Sequence, residues 1–256
     1  MKFTVLSDLH LDFHIRHYEP NILLRKRFEN VLDARKDVPI LIVAGDISHR
    51  VDDIKIIERL VKLFNYEKAY CVLGNHDIYL TSTVEQDIYK CDSKNKAINW
   101  YARQTDRVRI LNGSSELFEG TKISGAMGWY GGSYLNPHAA LSIMSDIRYI
   151  YGYENIMDIY GEEYDKLLGI LDTDIMITHV CPSVKQEAIQ EHFRSSPHNC
   201  LFTFDGDALL ERTTAKYWVY GHSHGTHEFT EHNTKCIMNT LGYPGEHSHT
   251  IMTKEL

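Results

Sequence analysis

Five short apolar runs punctuate this chain, and each stops abruptly at a polar turn. Lys2 to Leu6 runs into Ser7-Asp8-Leu9-His10, and Pro39 to Ala44 stops at Gly45-Asp46. Ala69 to Leu73 ends at Gly74-Asn75-His76-Asp77, Asp174 to Thr178 at His179, and Tyr217 to Tyr220 at Gly221-His222-Ser223-His224. Runs that are apolar throughout, with no alternation, predict strands buried on both faces. The segments between the first three have helical spacing. Asn21 to Lys36 carries Ile22, Leu23, Phe28, Val31 and Leu32, and Asp53 to Phe64 carries Ile54, Ile57, Leu60, Val61 and Phe64. Strand, polar turn and helix in succession predict parallel strands joined by crossover helices.

After a helix predicted over Thr83 to Tyr101 the texture changes. Val108 to Leu111, Glu116 to Phe118 and Lys122 to Ser124 are strand-like pieces separated by Asn-Gly and Glu-Gly turns, which predicts antiparallel hairpins. Gly125 to Pro137, rich in glycine and aromatics, reads as a loop over a site, and Leu141 to Tyr153 has no clear period. Tyr160 to Leu171 is expected to be helical, Phe202 to Leu210 leads into a short helix, and Glu228 to Met252 reads as hairpin strands. With no repeat, low-complexity tract or linker, the chain is expected to be one domain over residues 1–256, with residues 127–160 a candidate substrate-side insert.

Composition narrows the function classes. A chain of 256 residues, 43% hydrophobic and 24% charged, can build a sizeable core. The net charge of -8 argues against a broad nucleic-acid face or a basic membrane surface, though not against a local pocket for one phosphate. Five scattered cysteines form no disulfide framework, which points to a reducing, cytoplasmic compartment. The first residues lack the pattern of a signal peptide, and no window reaches the length of a membrane span.

The polar turns are where the chemistry lies. Asp-x-His alone is a weak signal, but five clusters share one position, the C-terminal end of an apolar strand. In open α/β sheets that crevice is where ligands bind. Carboxylate oxygen and imidazole nitrogen both ligate first-row divalent ions such as Mn, Fe, Ni or Zn. Helix capping would account for Asp8, Asp46 and Asn75, but not for the histidines paired with them.

Together the five blocks resemble the calcineurin-like metallophosphoesterase superfamily, whose pattern is Asp-x-His, Gly-Asp, Gly-Asn-His-Asp or -Glu, a lone His, and Gly-His-x-His. All five occur in order from residue 8 to residue 224. The resemblance implies an α/β fold, a four-layer α/β/β/α sandwich with mixed sheets and two divalent metal ions at its rim. By matching positions, Asp8, His10, Asp46 and His224 would hold one ion, and Asp46, Asn75, His179 and His222 the other. The bridging Asp46 would keep the ions roughly 3.5–4 Å apart, and a water bound by both would become a hydroxide nucleophile. His76 would face the leaving group as general acid or as an electrostatic stabiliser, with Asp77 fixing its tautomer.

Other residues divide between site and scaffold. Arg50 stands four residues after Asp46, in register with the phosphate-binding arginine of the protein-phosphatase branch, but Val51 replaces the glycine that follows it there. It is a candidate for substrate contact or for a solvated helix start. Trp129 and Arg148, in a region similar to small bacterial and phage members that begin Ser-Asp-Leu-His-Leu, are candidates for stacking on a flat group and binding phosphate, or for plain packing. Asp12, His14, His17 and His49 are assigned to loops or first turns, His247 and His249 to a solvated hairpin end, and Cys181 to a small buried position. The expected activity is dinuclear metal-dependent hydrolysis of a phosphate mono- or diester on a small or exposed, nucleotide-like substrate, with no membrane and no extended duplex as partner. The alternative, from another class, is a metal-stabilised scaffold without catalysis, like the retromer subunit of the same superfamily; the presence of His76 and of every ligand separates the two.

Overall fold

The computed structural model describes residues 1–16, 18–131, 144–155, 157–246 and 250–256. The predicted strands form where their apolar side chains leave water on both faces: β1 (Lys2–Leu6), β2 (Ile40–Ala44) and β3 (Lys68–Val72) are buried at nearly every position. Fully burying a Val, Leu or Ile side chain contributes about 1.5–3 kcal/mol, so these strands anchor the fold. They run parallel, and β4 (Val108–Ile110) joins β3 in the same sense. The short β11 (Thr253–Glu255) closes the other edge antiparallel to β1, giving the order β11-β1-β2-β3-β4.

A second sheet has the order β5-β6-β7-β8-β10-β9, comprising β5 (Ser114–Phe118), β6 (Thr121–Gly125), β7 (Ile175–Ile177), β8 (Tyr217–Tyr220), β9 (Thr226–Glu231) and β10 (Thr234–Asn239). Its centre is parallel and its two edges are antiparallel hairpins. Period-two alternation sorts the side chains between layers. Phe3, Val5, Ile40, Ile42, Tyr70 and Val72 pack between the sheets against Ile123, Ile175, Ile177, Val219 and Ile237. Their sequence neighbours turn outward, Leu41, Val43 and Cys71 towards the helix Ile54–Leu63, and Met176 and Trp218 towards the helices Asp158–Leu168 and Asp207–Arg212. The result is the four-layer α/β/β/α sandwich with mixed sheets.

Three elements differ from the sequence expectation. The helix expected over Asn21 to Lys36 ends at Phe28, yet Val31 and Leu32 still reach the core from the following turn. The helix expected over Thr83 to Tyr101 is two, Thr83–Ile88 and Ser93–Ala102, because Lys90 (φ 54°) and Cys91 (φ 50°) are left-handed and Asp92 caps the second helix through the Lys94 N–H. Val108 to Ile110 extends the first sheet instead of forming a hairpin.

Candidate metal centre

The parallel strands of both sheets deliver their C-terminal turns to one end of the sandwich, and backbone bonds lock those turns together. Asp8 N–H donates to the Gly45 carbonyl, His10 N–H to the Asp46 carbonyl, and Gly221 N–H to the His179 carbonyl. Asp8, His10, Asp46, His222 and His224 all have positive φ, between 34° and 71°. Close approach is possible because glycines stand beside them: a Cβ on Gly45 would lie 2.4 Å from His179 Nδ1, and one on Gly221 2.6 Å from Asp8 Oδ2.

The side chains then converge. Ligand atoms of Asp8, His10 and His224 lie within 4.8 Å of one another, as do those of Asp46, His179 and His222. His10 Nε2 is 3.8 Å from Asp46 Oδ2 and 3.2 Å from His224 Nε2. His179 Nε2 is 3.4 Å from Asp46 Oδ2 and 3.0 Å from Asn75 Oδ1. The seven residues expected from the sequence are therefore brought together, with Asp46 between the two groups.

Three of the four rings are held by their other nitrogen, which decides what they present to the cluster, whereas His10 Nδ1 is buried without a partner. His179 Nδ1 bonds the Ala44 carbonyl at 2.9 Å, His222 Nε2 the Leu201 carbonyl at 3.1 Å, and His224 Nδ1 the Glu246 carboxylate at 2.7 Å. That leaves Nε2 of His179, Nδ1 of His222 and Nε2 of His224 for the centre. Asn75 is oriented likewise, its amide N–H donating to Asp146 Oδ1 at 2.8 Å and to Tyr79 Oη at 2.9 Å so that Oδ1 faces inward. The buried Asp146 also accepts from the Tyr79 and Tyr130 hydroxyls.

The charges of the cluster are set by burial and by Asp46, which, against the lowering effect of burial, raises His179 to about 10, a proton that a bound ion would displace. Burial works to raise the Asp46 carboxyl, but His179, His76 and His10 more than reverse this and hold it well below the ordinary range. Burial lowers His10 and His222 to about 3, which keeps their rings neutral and able to ligate. Two buried carboxylates, an amide oxygen and four imidazoles, with the outward nitrogens of His179, His222 and His224 already engaged, are a donor set that mixed O/N-ligated divalent ions accept. The residues fit the ions that the blocks imply.

The sequence model of the calcineurin-like phosphoesterase family matches residues 1–226. The chain belongs to this family. Among curated relatives, the uncharacterized protein L509 of Acanthamoeba polyphaga mimivirus is 24% identical over 94% of this chain and 91% of its own length. A phosphopantetheinyl hydrolase from Mycobacterium tuberculosis shares the phosphoesterase fold at a TM-score of 0.65, with 17% identity over 95% of this chain and 90% of that one. Vps29 from Entamoeba histolytica aligns at a TM-score of 0.33 and 12% identity, over 100% of this chain and 86% of its own.

The remaining candidates of this phosphoesterase-family chain fall differently. His76 sits at the edge of the centre, grouped with His10 and Asp46 within 4.8 Å, and it and His224 are the partly exposed members. Asp77 does not hold the His76 ring. Its carboxylate accepts the Ser48 N–H at 2.9 Å and the Gly74 N–H at 2.7 Å, so it staples the turns after β2 and β3 from beneath. The His76 ring meets His49 instead, Nδ1 to Nε2 at 2.9 Å.

Arg50 is occupied by Asp53 at 2.9 Å and the Ile15 carbonyl at 3.3 Å, which makes it a brace for the turn after β2. Trp129 is 1% exposed and its ring stacks on Tyr130, so it offers no face to a ligand. Arg148 is exposed and makes no side-chain bond to a described residue; its neighbour Asp146 is the residue of that segment that reaches the centre. His14 bonds the Gly242 carbonyl at 2.7 Å, Cys181 is buried as expected, and His17, His247 and His249 lie outside the described residues. The sequence reading gave no role to Tyr243, which stacks on His10 with ring centroids 4.4 Å apart, or to Glu246, which holds both His224 and the Tyr243 N–H. Among the described residues no helix is long and apolar enough to cross a membrane.

Proposed function

We propose that the chain is a dinuclear metal-dependent phosphoesterase acting on phosphate mono- or diesters of small or exposed substrates. The observation that carries this reading is the pair of donor groups meeting at Asp46: Asp8, His10 and His224 on one side, and Asn75, His179 and His222 on the other. When bound, two divalent ions supply Lewis-acid polarisation of the phosphoryl oxygens and acidify the attacking water.

The chain's own residues supply the rest. Asp46 is the shared anion, held in place by the His76 N–H at 2.9 Å. Asp8 is fixed by the His222 N–H, 3.0 Å from Oδ1. The neutral amide of Asn75 brings an oxygen without a charge, which leaves its side of the centre more positive. His76, partly exposed at the rim, serves the departing oxygen, either giving it a proton or stabilising its charge. Its neighbours are aromatic, with Tyr243 at 6.4 Å and Tyr79 at 4.5 Å between ring centroids. A cavity of about 480 Å³ opens on the His224 side of the centre, bordered by Ser223, His224 and Glu246.

The test is turnover of aryl phosphate mono- and diesters by protein stripped with a chelator and reloaded with Mn2+, Ni2+ or Zn2+. Turnover is expected in at least one condition, and Asp46→Ala is expected to abolish it together with metal retention. His76→Ala is expected to keep its metal and lose about 10²-fold in kcat, the size of a missing general acid. Absence of turnover under every condition would leave a metal-stabilised scaffold as the reading and sink the enzyme.

A further inference from the structure

A neutral imidazole carries one N–H and one lone pair, so the partner of one nitrogen decides what the other can do. Around His76 those partners form a chain drawn from the turns after β1, β2 and β3. Asp12 Oδ2 lies 3.1 Å from His49 Nδ1, and Asp12 Oδ1 accepts from the Ser48 hydroxyl at 3.1 Å and the His49 N–H at 3.3 Å. A carboxylate only accepts, and Asp12 Oδ2 beside the ring favours the proton of His49 on Nδ1. A neutral His49 then has its lone pair on Nε2, which faces His76 Nδ1 at 2.9 Å. In that neutral pair His76 Nδ1 is the donor, and Nε2 is the nitrogen left uncommitted.

The ring planes support a true hydrogen bond. They are 7° from parallel with centroids 5.0 Å apart, yet the two nitrogens are closer than stacked rings can come, so the imidazoles meet edge to edge with the lone pair in plane. Flanking rings restrict their rotation. Tyr79 lies beside both, 5.8 Å from His49 and 4.5 Å from His76, and Phe13 meets His49 edge-on at 5.8 Å.

We infer that Asp12 and His49 are positioning residues that hold His76 with its proton on Nδ1 and Nε2 turned to the leaving group. The inference rests on the phosphoesterase reading for the word "leaving group", but the tautomer itself does not depend on it. With a second proton on Nε2, His76 keeps the same Nδ1–H bond to His49. When the ester bond breaks, the Nε2–H bond breaks and an O–H bond forms on the departing oxygen, so no ring has to turn. This role was hidden in the sequence because His49 and His76 are 27 residues apart, whereas the adjacent Asp77 was the obvious partner.

The experiment combines a spectroscopic and a kinetic arm on zinc-loaded protein. Long-range proton–nitrogen NMR of labelled histidines should report His76 as the Nδ1–H form, and His49→Ala should remove that signature. Kinetically, His49→Ala should keep its zinc and its KM, and lose about 10-fold in kcat on phenyl phosphate esters with less loss on p-nitrophenyl esters, whose leaving group needs no proton. His49→Gln, whose amide oxygen accepts the same N–H, should recover part of the loss, and His49→Ala should add nothing in the His76→Ala background. An unchanged tautomer, loss of zinc in His49→Ala, or equal and multiplying losses on both esters overturns the inference. If no ester is turned over by the unaltered protein but its tautomer is as stated and shifts in His49→Ala, the function reading fails and the positioning stands.

Discussion

Five of the candidate ligand residues, Asp8, His10, Asp46, His222 and His224, sit in left-handed backbone, where a residue other than glycine costs about 1–3 kcal/mol and persists only under constraint from its surroundings. Here the surroundings are glycines with no room for a methyl group. A Cβ on Gly74 would stand 2.2 Å from Asp46 Oδ1 and 2.5 Å from Asp46 N, against a side chain that cannot swing away. Gly74→Ala is therefore expected to cost about 1–3 kcal/mol of stability and to weaken metal binding. Gly161→Ala, in open space on the helix Asp158–Leu168, should be neutral or stabilise by up to about 1 kcal/mol. Denaturant midpoints and metal titration of the two variants check this, and equal behaviour would contradict the close-packed reading. The seven candidate ligands that converge were legible in the sequence because each ends an apolar strand within a recognisable block. Asp12, His49, Asp146 and Glu246 were not, because each acts through a partner brought near only by folding; Asp146 meets Asn75 across 71 residues.

At the scale of elements, apolar runs located the buried strands well, since burial on both faces leaves no other pattern. Helix ends were harder. The single helix expected over Thr83 to Tyr101 is broken at Lys90 and Cys91, and Lys96, wholly buried in the second half, bonds the Tyr79 carbonyl and pairs with Glu85 at 2.6 Å across the break. Ser82 and Asp92 carried the capping signal for both halves. The short edge strand β11 had no period to read, and it is secured by side chains: Thr253 donates to Asp33 at 2.8 Å, and Asp33 also pairs with Arg35 at 2.6 Å. The Arg35 bonds, against the opposing effect of burial, hold the Asp33 carboxyl at about 2, below the ordinary 3.8. A depressed carboxyl stabilises the fold above its unfolded value and loses that contribution as pH falls from about 4 towards 2. Because Arg35 is largely exposed, the contribution is reduced to about 1 kcal/mol. The difference in unfolding free energy between the unaltered protein and Asp33→Asn should thus be about 1 kcal/mol near neutral pH and shrink below about pH 4; a difference independent of pH would refute the clasp.

Over the whole molecule, the parallel strands β1, β2, β3, β7 and β8 explain why residues from 8 to 224 meet at one end of the sandwich. His224, with Glu246 from beyond β10 holding its ring, completes a group that Asp8 and His10 begin at the other end of the chain. The sandwich itself was implied by the resemblance of the five blocks, because hairpin and crossover patterns alone did not say that two sheets would stack. Metal content per chain, measured by elemental analysis after equilibration with saturating Mn2+ or Zn2+ and removal of free ion, tests the central claim of two ions sharing Asp46. The unaltered protein should hold two ions, His10→Ala about one, and Asp46→Ala none. A single ion in the unaltered protein, or a fall from two to none in His10→Ala, would contradict it.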